Sequence, residues 1–155
     1  MNSNTDVLVM NLEIGGKMTA NELTFPVVCF HRHLLRIRND WDALVITTTA
    51  GIKNGMFDNM LVVDSTGKAI RIKSAQKLHG VGFFWGFNPM GGRRIKVEFV
   101  YDGELFSMTV DEVRKLVLDS FKNRHGWQTR GDFNKLKTAV ERAPSVAEII
   151  RLIAL

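Results

Sequence analysis

The chain has 155 residues, 45% of them hydrophobic and 24% charged, with a net charge of +5 and one cysteine. This describes a single domain, residues 1–155, large enough to bury a real core, and no run of eighteen apolar residues is present to cross a membrane. The lone Cys29 excludes an internal disulfide and points to a reducing, cytoplasmic setting.

The opening residues, MNSNTDVLVMNLEIGG, have no basic start, and Asp6 and Glu13 flank their short apolar run, so they do not read as a signal peptide. Residues 5–108 read mainly as strands. Asp6–Ile14 and Val27–Ile37 are rich in Val, Leu, Ile and Phe. Within the second, Cys29-x-His31-x-His33 would share one strand face. At a rise of roughly 3.3 Å per residue, Cys29 and His33 stand about 13 Å apart, too far for one zinc to take all three. His31 and His33 could chelate as a pair, but no second pair is recognisable, and no metal or other cofactor is expected.

Residues 40–52 (DWDALVITTTAGI) carry two signals: Trp41, Leu44 and Val45 have helical spacing, while Thr47–Thr49 favours strand. Asn59–Val63 and Ala69–Lys73 flank Asp64-Ser65-Thr66-Gly67 and read as a hairpin. From Arg94 to Tyr101 the alternation puts Ile95, Val97, Phe99 and Tyr101 on one face. Asp102-Gly103 then predicts a tight hairpin turn with Glu104–Met108 as the return strand.

Residues 109–155 read as three helices. Thr109-Val-Asp-Glu112 is a capping box ahead of the stripe Val110, Val113, Leu116, Val117 and Phe121, with Gly126 as the stop. Asp132 is placed to cap a second helix that turns Phe133, Leu136 and Val140 inward, and Pro144 closes it. Ser145-Val-Ala-Glu148 is a second capping box, followed by Val146, Ile149, Ile150 and Ile153. The fold class is therefore α+β, with antiparallel hairpins in a β-rich N-terminal body and about three helices in the C-terminal third.

The stretch Leu78–Phe99 holds five glycines and five aromatics. Gly80-x-Gly82-x-x-x-Gly86 resembles a phosphate loop, but no helix opens after it to bring N–H groups onto an anion. His79-Gly80-Val81-Gly82-Phe83-Phe84-Trp85 and Val7–Leu12 resemble the two sequence signatures of an RNA-recognition motif. However, Leu8 and Val81 stand where stacking rings belong, leaving Phe83 alone. A membrane wedge of Phe83, Phe84, Trp85 and Phe87 backed by Arg93 and Arg94 is a third reading. A core role for the rings is a fourth. No nucleophile motif or acid/base pair is present, so the chain reads as a non-enzyme.

Several features recur in one order. The turn Asp64-Ser65-x-Gly67 with basic Lys68, Arg71 and Lys73 is followed by Phe83-Phe84-Trp85 and the strand Ile95–Phe99. A capped helix, Trp127, Gly131-Asp132-Phe133 and a closing Ala143-x-Ser145-x-x-Glu148-Ile149-Ile150 complete the set. Over about residues 58–155 this resembles a loose group of small bacterial proteins of toxin–immunity systems, contact-dependent inhibition among them. The resemblance implies a cytoplasmic immunity protein that binds and neutralises a cognate toxin domain. A small basic nucleic-acid-binding module is the alternative. Interfaces favour Trp, Phe and Arg anchors, so Phe83, Phe84, Trp85, Phe87, Arg93 and Arg94 are the candidate partner-binding residues.

Overall fold

A computed structural model describes residues 22–81, 93–122 and 132–154. The strand expected at Asp6–Ile14 lies outside these residues, as do Gly126, Trp127 and Gly131.

Among the described residues, seven strands form one antiparallel sheet. They are β1 (Val27–His31), β2 (Leu34–Arg38), β3 (Ile46–Thr48), β4 (Met60–Asp64), β5 (Lys68–Gly80), β6 (Arg94–Tyr101) and β7 (Phe106–Ser107). The path across the sheet is β2-β1-β4-β5-β6-β3, with β7 also pairing β5. Short helices α1 (Trp41–Val45) and α2 (Thr49–Lys53) flank β3, and α3 (Val110–Lys122), α4 (Phe133–Arg142) and α5 (Val146–Ile153) follow the sheet. The α+β architecture read from the sequence is the one observed.

The central strands are apolar on both faces, which is why VVCF and MLVV run without polar interruption. Alternate residues feed two cores. Val28, Phe30, Leu61, Val63 and Ala69 meet Val113, Val117, Phe121, Val140, Ile149, Ile150 and Ile153 of the three C-terminal helices. Val27, Cys29, Met60, Val62, Ile70, Ile72, Ile95, Val97 and Phe99 face the other way, inside the curl of the sheet, against Leu44, Val45 and Phe57.

Residues 27–37 are not one strand. The chain reverses at Arg32-His33, where a two-residue loop joins β1 to β2 and Arg32 takes the left-handed conformation such a loop needs (φ 53°). His33 therefore sits exposed in the turn, away from the face shared by Cys29 and His31. Residues 40–52 contain both elements that their composition suggested. Asp40 caps α1 by accepting from the Ala43 N–H at 2.7 Å, and Thr48 caps α2 by accepting from the Gly51 N–H at 3.1 Å.

The β4–β5 hairpin closes on Asp64, a fully buried carboxylate. It accepts hydrogen bonds from the N–H groups of Thr24 (2.9 Å), Thr66 (2.8 Å) and Lys68 (2.9 Å) and from the Thr66 hydroxyl (2.7 Å). One side chain thus shapes the turn and pins residue 24 beside it. Gly67 completes the turn at φ 90°, and a Cβ there would come within 2.8 Å of the Met108 carbonyl oxygen.

Asp102-Gly103 does not turn the chain back on β6. The Asp102 N–H donates to the Arg71 carbonyl (2.9 Å), Phe106 and Ser107 pair with Ala69 and Lys68, and the Met108 N–H donates to the Gly67 carbonyl (2.8 Å). The chain stays on the same edge of β5, with Gly103 (φ 90°) inside a bulge rather than a hairpin.

The first capping box forms in full: Thr109 Oγ1 accepts from the Glu112 N–H (3.3 Å), and Glu112 accepts from the Thr109 N–H (2.7 Å) and hydroxyl (2.9 Å). The second forms by half. Ser145 accepts from the Glu148 N–H (3.2 Å), but the Glu148 carboxylate turns to Arg151 at 2.6 and 2.8 Å. Asp132 precedes α4 without a side-chain cap; its carboxylate faces Lys135 at 3.4 Å. Ala143, forced out of helical geometry by Pro144, ends α4 (ψ 129°).

Candidate binding surface and recess

Two features stand apart from the packed interior. The first is the β5–β6 ribbon. β4 pairs with β5 only as far as Ile72, whereas β6 follows β5 out to Gly80. The pairing shifts register between Ile72 and Ser74 and again between Lys77 and His79, which leaves Lys73 and Leu78 as extra residues. Bulges of this kind re-aim side chains, and Leu78 is 48% exposed as a result.

The ribbon is basic. Lys73, Lys77, Arg93, Arg94 and Lys96 lie along it with His79, against the single acid Glu98. Lys96 pairs with Asp42 at 3.5 Å. The backbone at Arg93 and Arg94 is anchored by hydrogen bonds from the Thr49 N–H (3.0 Å) and the Val81 N–H (3.0 Å) to their carbonyls, while both side chains are exposed. Of the six residues singled out as partner-binding, the structure places Arg93 and Arg94 at the far end of the ribbon, beside Gly80 and Val81. Phe83, Phe84, Trp85 and Phe87 lie outside the described residues. Sequence reading missed Leu78, and with it Val100, Leu105 and Phe106, the other exposed large apolar residues of the described chain. Leu78 follows from a register shift that no local pattern announces.

The second feature is a small recess on the concave face. Cys29, His31, Met56, Met60, Arg36 and Arg38 line it, and the rest of its wall is apolar. It encloses about 20 Å³, room for one water or one small ion. Burial holds the Cys29 thiol up at about 12, against the opposing pull of Arg38 and Arg36. The His31 imidazole is held below its ordinary value, first by burial and then by Arg32; the Asp58 carboxylate and a hydrogen bond to the Asp58 backbone pull the other way. Its Nε2 is buried and has no hydrogen-bond partner among the described residues. His31 thus keeps one buried ring nitrogen, Nε2, without a partner among the described residues. The Cys29–His31 spacing was visible in the sequence. The contribution of Met56 and Met60 was not, because it depends on β4 and the preceding loop folding over β1.

No family model, curated protein or solved structure matches the chain.

Proposed function

We propose that this chain is a non-catalytic, cytoplasmic binding protein of the bacterial immunity type, which neutralises a cognate toxin by docking the β5–β6 ribbon against an acidic face of that toxin. The carrying observation is the concentration of exposed positive charge at Lys73, Lys77, Arg93 and Arg94 beside the outward-turned Leu78. An apolar anchor ringed by one sign of charge suits fast, selective protein association. The non-catalytic part of the reading is supported by how three acids are engaged. Asp64 is consumed by its turn, Glu112 by its helix cap and Glu148 by Arg151.

The reading expects a toxin gene directly upstream and survival of cells that express its C-terminal domain together with this chain. Arg93→Glu/Arg94→Glu should abolish both protection and binding to that domain. Full protection by the double variant would overturn the ribbon assignment.

The same basic stretch supports a second reading, nucleic-acid binding, since clustered exposed Lys and Arg side chains can neutralise phosphates. That reading requires binding to generic DNA or RNA that falls steeply with added salt. No binding at low salt removes it.

A further inference from the structure

We propose that Cys29, His31, Met56 and Met60 form a site for one soft monovalent cation, with copper(I) as the natural ion. Strand register brings the donors together. Cys29 and His31 are two apart on β1 and point to the same face. Val28, Cys29 and Phe30 pair with Val63, Val62 and Leu61 of β4, so the next position places Met60 beside His31 and diagonal to Cys29, on that face. Met56 reaches the same recess from the loop before β4. Its sulfur accepts from Arg36 Nη1 at 3.4 Å and lies 3.9 Å from the Thr47 hydroxyl. Thioethers are weak acceptors, so these contacts orient Met56 without answering the sulfur's preference for a soft ion.

Three observations select the ion. The donors are one thiol, two thioethers and one imidazole, a soft set suited to copper(I). Among the described residues no three His, Cys, Asp or Glu side chains gather, so zinc lacks its usual complement. Charge decides further. Arg36 pairs across the strands with Cys29, and Arg38 lines the same recess. A divalent ion bound to one thiolate keeps a positive charge beside two guanidinium groups, whereas a monovalent ion on that thiolate is neutral.

The buried, unpartnered Nε2 of His31 is the lone pair such an ion would take. On binding, the Cys29 thiol releases its proton to solvent as the sulfur–copper bond forms. Copper enters and remains as copper(I), and no electron is transferred.

The test titrates the purified full-length chain under anaerobic conditions. Copper(I) is presented in competition with a bidentate copper(I) chelator, silver(I) serves as a redox-stable probe, and native mass spectrometry counts ions per chain. One ion per chain is expected, with Cys29→Val abolishing retention. Met56→Leu and Met60→Leu conserve volume and leave the fold, read by circular dichroism, unchanged. Each should weaken the ion by about tenfold or more, comparable to losing a supporting group at a metal centre. Three results overturn the site: no ion retained, so that the recess holds water only; both methionine variants binding as the parent does, which is capture by a bare thiol; or zinc(II) competing equally with copper(I).

Discussion

Asp64 is the residue on which most local geometry depends. A buried carboxylate is tolerated only when its oxygens are answered, and here three N–H groups and one hydroxyl answer them. Oδ1 takes the Thr66 and Lys68 donors, while Oδ2 takes the Thr24 N–H from forty residues away. Removing the side chain strands those donors, so Asp64→Ala should cost about 3 kcal/mol of stability. Asp64→Asn can keep the three bonds to Oδ1 and loses only the link to Thr24, so it should cost clearly less. Urea unfolding of both variants checks the order; equal losses would mean that the tie to Thr24 carries the whole effect.

At the scale of elements, the C-terminal helices are joined by a side chain whose role the sequence does not announce. Arg114 of α3 donates through Nε to the Val140 carbonyl (3.2 Å) and through Nη2 to the Ala143 carbonyl (2.7 Å), besides pairing with Asp111. The Val140 carbonyl also takes the Ala143 N–H (3.3 Å), whereas the Ala143 carbonyl lies past the end that Pro144 imposes on α4. Arg114→Ala should therefore destabilise the fold by about 2 kcal/mol. Arg114→Lys should recover only part of that, because an ammonium lacks the two-pronged geometry. Thermal unfolding of the two variants tests it, and full recovery by Lys would show that charge alone suffices.

The capping box of α3 makes a pH prediction. The hydrogen bonds from Thr109 hold the Glu112 carboxyl below its ordinary value, the backbone one most strongly. A carboxyl depressed in the folded state adds stability above its unfolded value near 4.5 that is lost as pH falls through the folded value. An NMR titration should find Glu112 below the usual glutamate range. Thr109→Ala should raise it, though not fully, because the backbone donor remains.

Local chemistry made this box legible, as it did the alternation of β6 and the stripe of α5, since each depends on neighbours within one helical turn or one strand. What local patterns missed depended on distant pairing. Arg32-His33 contains none of the glycine or asparagine that usually marks a two-residue turn, so the break between β1 and β2 was invisible. Asp102-Gly103 carries the strongest hairpin signal in the chain, yet the open edge of β5 holds the strand straight through Arg71 and Gly67. For the candidate site residues the divide is the same. The exposed arginines could be read from position, whereas Leu78 and the methionine donors required the register of β5 and the approach of β4 to β1.

For the whole molecule the decisive fact is that one sheet serves two cores. Each central strand sends alternate side chains to the helical layer and to the concave interior, so neither core can dissolve without exposing the back of the other. Ile150 is fully buried beneath the helices, and Ile95 is buried on the opposite face. Truncation of either to alanine should cost about 3 kcal/mol. In a background with Trp85 and Trp127 replaced by Phe, each variant should lose helical circular dichroism and Trp41 fluorescence in a single coincident transition. Trp41 packs against the concave core, so it reports on the side that Ile150 does not touch. If Ile150→Ala melted the helices while the Trp41 signal persisted to higher denaturant, the two cores would be separable, and the shared sheet would not couple them.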